Sequence, residues 1–407
     1  MVTTFYPPYH FGGDGIFVYR LAEELAERGH LVDVFHSVDA YRLQHREEPE
    51  AAFPHHPNVT RRPLKTLWPR LSALGAHQFG HPAAYAAQLG EWLDREFYDV
   101  IHYHNISLMG GPGVLRLGGA VKLYTAHEYW LVCPTHVLFR FNRVACEKKK
   151  CLRCQLVYKR PPQFWRYTRL MERSLREIDC LLAPSEFAKA RLAADGVACP
   201  MQVLPHFVPV PAEPAETTTV SGAAPYFLFA GRLEKLKGVQ DLIHLFAKYR
   251  EAEFVIAGEG HYAPELRQQA RGLQHVRFLG SVNVTALSAL YRGAIAVLAP
   301  SLCYETFSLA AAEALAHGTP VIARRLGALT EIIESSRAGF LFDSLEECRL
   351  QMERLRTDPA LRDSLATAAR SAVAENWTAE IHLRRYLAIV GSLIAQRANR
   401  QDGRSER

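Results

Sequence analysis

The sequence predicts an α/β protein with two domains, each built on a parallel sheet with helices on both faces. A chain of 407 residues is longer than one hydrophobic core usually organises. The second half alternates strand-like and helix-like segments, a pattern typical of parallel sheets. A run rich in Pro, Ala, Thr and Glu at 208–224 resembles an interdomain linker. We therefore predict domains at 1–207 and 225–380, followed by a C-terminal segment at 381–407.

The composition is that of an ordinary soluble enzyme, with 48% hydrophobic and 22% charged residues. A net charge of +6 permits an acidic ligand or an anionic surface without requiring nucleic acid. No apolar run reaches the roughly 18 residues of a membrane span, and no secretory signal is visible. We therefore expect a cytoplasmic protein.

The first half begins with a short predicted strand at 2–5. Either the chain starts a few residues late or this strand is truncated. A glycine-rich turn containing Gly13 follows, then a helical pattern at 16–28 and a strand at 31–36. Glycines between strand and helix let a phosphate or sugar approach the backbone, although a structural turn explains them equally well. Residues 39–82 lack clear periodicity, which predicts a long irregular insertion.

His127 stands out in the middle of the first half. A helix is predicted at 83–97 and buried strands at 99–104 and 121–125, and His127 follows the last of these. Open α/β sheets bind ligands at the carboxyl ends of their strands. His127 is therefore either a ligand-contacting residue or a core histidine. The half continues with helices at 169–178 and 186–194 and with strands at 180–184 and 201–204.

Four cysteines lie within 22 residues, namely Cys133, Cys146, Cys151 and Cys154. Four thiolates at such spacing can hold one tetrahedral zinc, and this set predicts a structural site. A catalytic zinc is disfavoured because four protein ligands leave no open position. The alternative is that these thiols bind no metal and lie in a mobile loop; an iron–sulfur cluster is a weaker possibility.

Residues 137–173 contain eleven Lys or Arg and only two acids, with six aromatic residues interleaved. This mixture suits an anionic membrane surface, or an acidic or sugar-bearing acceptor. It would also suit single-stranded nucleic acid. The ordinary alternative is a solvated helix face with a lid.

The second half carries two basic residues in a glycine-bounded turn. Arg232 and Lys237 lie in GRLEKLKG, directly after the strand predicted at 226–230. The turn is not a P-loop, yet a guanidinium fork and an ammonium there could clamp a diphosphate. Gly258 and Gly260 leave room beside the backbone after the next strand. The further strands are predicted at 254–257, 276–279, 295–298, 321–323 and 339–342.

Glu305 and Glu313 are eight positions apart in the stretch 299–334. In one continuous helix they would lie about 12 Å apart, beyond the roughly 5–9.5 Å of two carboxylates flanking a glycosidic bond. Glu305 is expected to precede the helix. The pair suggests carboxylates that hold different parts of an extended ligand, although a loop acid and a helix-surface acid are the ordinary alternative.

Together these motifs resemble glycosyltransferase family 4. In the second half the resemblance rests on GRLEKLKG, GEG, FLGSV and the segment APSLCYETFSLAAAEALAHGTPVIA. In the first half it rests on FYPPYHFGGDG, TAHEYW and APSEFAKARLAADGV. It covers nearly the whole chain. It implies the GT-B fold, with two Rossmann-like doubly wound domains facing a central cleft and the C-terminal helix packed back on the first domain before a disordered tail.

The resemblance also implies roles for particular residues. Arg232 and Lys237 would bind the donor diphosphate, and Glu313 the ribose hydroxyls. Glu305 and His127 are the candidate catalytic residues, contacting the transferred sugar. The remaining expected donor contacts are Gly13 and the backbone of Phe307, Ser308 and Leu309.

The implied function is a retaining, hexosyltransferase-type enzyme that needs no metal at its donor site, in keeping with the lack of a D-x-D motif. A UDP-sugar is the expected donor, with GDP or ADP open. The acceptor would be a saccharide, a lipid-linked or a small molecule in polysaccharide, glycolipid or glycoside synthesis, with peripheral contact at the inner membrane face. No cofactor is expected apart from the structural zinc, and no nucleic acid.

Two alternatives stay open. One is an epimerase or phosphorylase on the same fold. The other is an inactive scaffold that binds a membrane surface or nucleic acid. The chain departs from the family where Pro205, His206 and Phe207 replace a frequent Asn-Gly, and where Gly327 precedes Ala328 instead of a second glycine.

Overall fold

A computed structural model describes residues 1–10, 12–45, 48–49, 53–95, 98–211 and 224–405. The chain forms two compact units. Unit 1 comprises Met1–His136, Cys151–Pro205 and His382–Arg407, and unit 2 comprises Val137–Lys150 and His206–Ile381. Most of the predicted linker, 212–223, lies outside the described residues.

The strands of the described residues are short and mostly buried. They are β1 Val2–Thr3, β2 Val32–Ser37, β3 Val59–Leu64, β4 Val100–Tyr103, β5 Val121–Thr125, β6 Phe139–Arg140, β7 Val144–Ala145, β8 Cys180–Ala183, β9 Met201–Val203, β10 Tyr226–Ala230, β11 Glu253–Ala257, β12 Val276–Gly280, β13 Ala296–Ala299, β14 Val321–Arg324 and β15 Gly339–Phe342.

The α-helices connect these strands. They are α1 Gly13–Glu27, α2 Val38–Gln44, α3 Pro69–Phe79, α4 Ala86–Arg95, α5 Cys151–Val157, α6 Leu170–Leu175, α7 Glu186–Ala194, α8 Val239–Phe246, α9 Ala263–Gln269, α10 Val284–Gly293, α11 Leu309–Ala316, α12 Ala328–Ser336, α13 Leu345–Thr357, α14 Pro359–Asn376 and α15 Ala379–Ser405. Short 3-10 turns lie at Ala83–Tyr85, Gly111–Arg116, Phe164–Tyr167 and Lys235–Lys237.

Within the described residues, unit 1 contains a seven-stranded parallel sheet in the order β3-β2-β1-β4-β5-β8-β9. The two-residue β1 lies at its centre and pairs with β2 and β4. Its neighbours β2 and β4 are buried at most positions, as expected for strands covered on both faces, although they carry polar residues such as His36 and His102.

The irregular insertion expected at 39–82 is wrong. Helix α2 begins at Val38, β3 pairs in parallel with β2 from Val59 to Leu64, and α3 follows. The pattern was hidden because β3 is an edge strand in which only Val59 and Leu64 are buried. Pro63 is tolerated there, since an edge strand has an N–H row that needs no partner.

Unit 2 contains a six-stranded parallel sheet in the order β12-β11-β10-β13-β14-β15, again within the described residues. This is the doubly wound order whose direction of winding reverses between β10 and β13. Side chains alternate across the sheet, so Phe227 and Phe229 enter one core cluster while Leu228 and Ala230 enter the other. Helices cover both faces of the sheet. Sheets of this type bind ligands at the carboxyl ends of the strands where the order reverses, which here are the ends of β10 and β13.

The disordered tail expected after residue 398 is also wrong. Helix α15 continues to Ser405, beyond the amphipathic stretch that the sequence indicated. Residues 396–400 read QRANR, and their Gln, Ala and Arg are good helix formers. From His382 onward the helix belongs to unit 1. In the part of the chain described here, no helix is both long and apolar enough to cross a membrane.

Candidate functional site

Two loops of unit 2 meet where the direction of the sheet reverses. One follows β10 and carries Lys237; the other follows β13 and carries Glu305. Leu302 N–H donates to the Leu236 carbonyl at 2.8 Å. A Cβ on Gly238, at φ 78°, would lie 2.1 Å from the Pro300 carbonyl oxygen. The absence of a side chain at Gly238 therefore lets the two loops touch.

The loop after β11 supports the first of these loops through its two glycines. Gly231 N–H donates to Ala257 at 3.0 Å, and Leu233 N–H donates to Glu259 at 2.9 Å. A Cβ on Gly258 would lie 1.9 Å from the Gly231 carbonyl oxygen, and one on Gly260 would lie 2.3 Å from that of Leu233. The two glycines of GEG thus let the loop after β11 pack against the backbone of the loop that bears Arg232, which holds that loop in place.

Lys237 and Glu305 form an ion pair between the two loops. Lys237 Nζ donates to Glu305 Oε1 at 2.9 Å, and the Ser301 hydroxyl donates to the same oxygen. The side chains are only 23% and 11% exposed, so solvent screens this pair weakly.

The pair keeps both partners charged despite their surroundings. Burial alone would raise the pKa of Glu305, but the Lys237 ammonium and hydrogen bonds from Ser301 and Ser308 hold it below its usual value. Burial alone would lower the pKa of Lys237, but the Glu305 carboxylate outweighs it and raises that pKa. A partly buried cation with donors to spare can receive an anionic ligand.

Arg232 occupies the same loop but is more exposed. Its side chain is 51% exposed and its Nη1 lies 2.8 Å from Glu234 Oε1. The structure therefore places Arg232 and Lys237 in one loop and pairs each with a different carboxylate. Arg232 is the more solvent-exposed of the two cations, and its predicted contact with a diphosphate stays a prediction.

Helix α11 begins directly after the second loop. Phe307 and Ser308 are buried and Leu309 starts the helix. The first N–H groups of an α-helix have no acceptor within the helix, and its dipole is positive at this end. Glu305 precedes the helix, as the sequence indicated, and Glu313 lies within it. Glu313 Oε2 is 3.5 Å from the Tyr291 hydroxyl.

Gly327 closes the second loop from the side. It adopts φ 63° and a Cβ there would lie 3.2 Å from the Glu305 nitrogen and from the Tyr304 Cα. Gly327 therefore allows the backbone of α12's first turn to approach Tyr304 and Glu305 closely. The following residue, Ala328, is the buried first residue of α12. The loss of a second glycine therefore leaves the contact with Glu305 intact.

His127, in unit 1, follows β5 and is held by a second histidine. His104 Nδ1 and His127 Nε2 are 2.9 Å apart, and the His127 ring meets Phe17 edge-on. Burial lowers the pKa of His127 to about 4, although Glu128 acts in the opposite direction. His127 is thus neutral at pH 7, so one of its ring nitrogens donates a hydrogen bond and the other accepts one.

His104 belongs to a row of polar groups that sequence analysis missed. Its ring centroid lies 4.0 Å from that of His102, with the two rings tilted by 36°. His102 in turn is hydrogen-bonded to Thr125 Oγ1 at 2.8 Å and to the Tyr386 hydroxyl at 3.3 Å. His102 and His104 alternate in DVIHYH, at the end of β4 and next to the strand that precedes His127. That alternation was the available signal, whereas Tyr386 is 284 positions from His102 in the chain.

Gly13 is the first residue of α1. The preceding Gly12 adopts φ 86°, and Gly13 itself is exposed. The N-terminus of α1 therefore presents backbone N–H groups without a covering side chain at Gly13. Its predicted contact with a diphosphate or acceptor stays a prediction.

The four clustered cysteines are divided between the units. Cys146 belongs to unit 2, and the other three, Cys133, Cys151 and Cys154, belong to unit 1. Among the described residues, no group of three or more His, Cys, Asp or Glu side chains is arranged to hold a metal ion. The geometry gives the zinc prediction no support, and zinc stays a prediction.

Two family models match the chain. Residues 11–210 match the model described as Glycosyltransferase Family 4, and residues 224–358 match Glycosyl transferases group 1. The two matches fall on the two halves in which the sequence motifs lie. The chain belongs to the glycosyltransferases of family 4, and its fold is GT-B.

Similar proteins agree with this assignment. An uncharacterised glycosyltransferase of Methanocaldococcus jannaschii is 36% identical over 160 residues, 37% of this chain and 40% of that relative. The MMP alpha-(1->4)-mannosyltransferase of Mycolicibacterium hassiacum is 28% identical over 348 residues, 80% of each chain.

Solved structures share the fold over nearly the whole length. Sucrose-phosphate synthase of Thermosynechococcus elongatus superposes with a TM-score of 0.72 at 22% identity, covering 97% of this chain and 98% of that one. The Anabaena protein HepE, solved in complex with UDP, gives 0.66 at 16% identity, with coverage of 96% and 99%.

Proposed function

We propose that this protein is a retaining glycosyltransferase that transfers a sugar from a UDP-sugar without a metal ion at the donor site. The observation that carries the proposal is the Lys237–Glu305 ion pair, which joins the loops after β10 and β13 beside the N-terminus of α11. That edge is the ligand-binding edge of a doubly wound sheet.

The charges at this edge suit a nucleoside diphosphate. Lys237 uses one of its three donors on Glu305, and the others can reach phosphate oxygens. Arg232 would bind the same diphosphate as a planar fork, and the first N–H groups of α11 would add dipolar donors. Three positive elements substitute for a divalent cation, which is the basis for proposing metal independence.

The carboxylates would divide the remainder of the donor between them. Glu305, fixed by Lys237 and Ser301, would accept hydrogen bonds from hydroxyls of the transferred sugar. Glu313, four residues into α11, would accept hydrogen bonds from the ribose. An ionised carboxylate accepts hydrogen bonds and donates none, and the lowered pKa of Glu305 keeps it ionised at neutral pH.

The proposed reaction is a front-face displacement. The bond between the anomeric carbon and the phosphate oxygen breaks with its electron pair staying on the diphosphate. The acceptor hydroxyl attacks from the same face and its proton passes to the leaving phosphate. Stabilising the developing diphosphate charge is the main electrostatic task, which Lys237, Arg232 and the helix N–H groups would perform.

Two similarities support the donor class. HepE was solved with UDP, and the Mycolicibacterium relative is named as a mannosyltransferase. We propose a UDP-hexose donor, with GDP-mannose as the second candidate. The acceptor class follows the family, a saccharide, glycolipid or glycoside. Peripheral contact of the basic segment 137–173 with an anionic membrane stays a prediction.

A donor panel tests the proposal. Purified protein is incubated with UDP-glucose, UDP-galactose, UDP-N-acetylglucosamine and GDP-mannose, and nucleotide release is measured with and without EDTA. We expect release from one donor, unaffected by EDTA, and loss of release in Lys237→Ala and Glu313→Ala. Lys235→Ala, in the same 3-10 turn, is the matched control and should retain activity.

The donor site, the metal independence and the retention of configuration can each be rejected by a separate result. Unchanged turnover in both Lys237→Ala and Glu313→Ala would show that the donor site is elsewhere. Loss of turnover with EDTA would exclude metal independence, and a product of inverted anomeric configuration would exclude retention. Recovery of an epimerised nucleotide sugar would favour the epimerase alternative.

The zinc prediction has its own test. Metal analysis of purified protein should find about one equivalent of zinc if the four cysteines hold a structural ion. Less than about half an equivalent, or the same content in Cys151→Ser, would show that the four cysteines do not hold a structural zinc.

A further inference from the structure

The segment Val137–Lys150 leaves its sequence neighbours and belongs to unit 2. It forms a β-hairpin in which Phe139 pairs with Ala145 and Arg140 with Val144. Phe141 and Asn142 form the turn with φ 55° and 54°, and Arg143 N–H closes it on Arg140 at 3.1 Å. Positive φ at both turn positions matches the right-handed twist of a tight hairpin.

The hairpin packs through Phe139. Its side chain is 1% exposed and belongs to a small cluster with Leu236 and Cys303, which are also buried. Val137 and Leu302 complete the cluster as partly buried neighbours. The cluster is separate in composition from the two large cores of unit 2.

The partners of Phe139 are next to the site residues. Leu236 immediately precedes Lys237, and Cys303 is two positions before Glu305. The Cys303 thiol is buried, which raises its pKa to about 12, and the charges of Lys237 and Glu305 are near enough to alter that pKa. Phe139 therefore packs on both loops that hold the ion pair.

We propose that this hairpin is a positioning element of the donor site, with Phe139 as the residue that fixes the spacing between Lys237 and Glu305. The proposal rests on the proposed function. The backbone of the two loops is joined there by the Leu302–Leu236 hydrogen bond. Burial of the Phe139 side chain against both loops favours a single arrangement of the loops.

This arrangement gives the hairpin a role beyond a surface insertion. The chain enters and leaves it through segments of unit 1, Met1–His136 and Cys151–Pro205. Phe139 contacts the loops of the ion pair within unit 2, through Leu236 and Cys303. Phe139 is a positioning residue, since it is argued to act through Lys237 and Glu305.

The packing is tested without any activity measurement. Alkylation of Cys303 by N-ethylmaleimide is followed by peptide mass spectrometry in the intact protein, below its melting temperature. We expect Phe139→Ala to raise the labelling rate about tenfold, because it uncovers a thiol that is now 4% exposed. Phe139→Leu should stay near the wild-type rate. Val144→Ala, on the half-exposed strand of the same hairpin, should not change it.

The positioning role is tested by kinetics with whichever of UDP-glucose and GDP-mannose supports nucleotide release. Phe139→Ala should raise the donor KM and lower kcat/KM about tenfold, and Phe139→Leu should keep both close to wild type. A merely destabilising change would lower the amount of active protein and leave the donor KM unaltered.

The outcomes separate the two proposals. Unchanged Cys303 labelling in Phe139→Ala would overturn the packing. Raised labelling with unaltered donor kinetics would overturn the positioning role alone. If wild type uses no donor, the proposed function fails and the positioning role with it, whereas the labelling result still decides whether the hairpin covers the loops.

Discussion

At the scale of single residues, the chemistry depends on pairs that hold each other in one charge state. Lys237 and Glu305 keep each other ionised at the end of a parallel sheet. His104 and His127 share one hydrogen bond, so one ring must donate and the other accept. In both cases the neighbour decides what the candidate site residue can do.

Glu305→Gln tests the ion pair with little change of shape. The amide can still accept from Ser301 but no longer balances Lys237. We expect donor kcat/KM to fall about 100-fold, because the carboxylate that pairs with Lys237 and is proposed to contact the sugar is lost. The free energy of unfolding, measured in urea, should fall by about 3 kcal/mol, because the mostly buried Lys237 ammonium is left without its counter-charge. Full activity in this variant would contradict the assigned role.

His104→Leu tests whether the second histidine orients the first. Leucine removes the hydrogen bond to His127, and kcat should drop about tenfold while the donor KM stays close to wild type. His104→Asn keeps a polar atom near the position of Nδ1 and should recover most of the loss. Equal defects in the two variants would indicate a packing role only.

At the scale of elements, the site is assembled from loops that approach each other at glycines. Gly238 lets the loop after β10 touch the loop after β13, and Gly258 and Gly260 let the loop after β11 support it. The strands themselves only bring the loop ends to one edge. The backbone contacts then set their spacing.

Gly258→Ala should disrupt this assembly. The new Cβ would lie 1.9 Å from the Gly231 carbonyl oxygen, so the loop that carries Arg232 must move. We expect a loss of about 3 kcal/mol in urea unfolding, together with weaker UDP binding by calorimetry.

Gly272→Ala is the control for backbone strain. Gly272 also has a positive φ, of 84°, but a Cβ there meets nothing within 4 Å. It should cost about 1 kcal/mol and leave UDP binding unchanged. If the two variants behave alike, the close approach at Gly258 is not what matters.

At the scale of the whole molecule, buried neutral histidines are concentrated in unit 1. Burial lowers the pKa values of His36, His77, His127 and His382 to about 4. These groups have pKa values near 6.5 when unfolded. The unfolded chain therefore binds more protons than the native one at mildly acidic pH.

Stability should therefore fall as the pH decreases from about 6.5 toward 4. For each such histidine, the free energy of unfolding falls by about 1.4 kcal/mol per pH unit as the pH decreases through this window. Above pH 6.5 these histidines cause no change of stability with pH. Thermal unfolding followed by tryptophan fluorescence should show a melting temperature that is steady from pH 8 to 7 and drops steeply by pH 5. His77→Gln should make the drop shallower, whereas His244→Gln, at an exposed position, should not. A melting temperature constant down to pH 5 would contradict the prediction.

Much of the architecture could be predicted from the sequence. Strands 121–125, 226–230 and 339–342 were placed correctly, because each is a short run of mostly apolar residues with sharp ends. Edge strand β3 was missed because one face of it is solvated and polar. The end of α15 was missed because a polar composition does not prevent a helix.

The sequence alone determined the family, the two α/β units and the residue types at the binding edge, since these depend on local pattern and motif order. Only the tertiary structure decided that Lys237 pairs with Glu305, that His104 holds His127, and that Phe139 packs between Leu236 and Cys303. Each of these contacts joins residues brought together by sheet topology or by a hairpin that changes units. Contacts of that kind leave no periodic signal in the chain, because they depend on where distant segments meet.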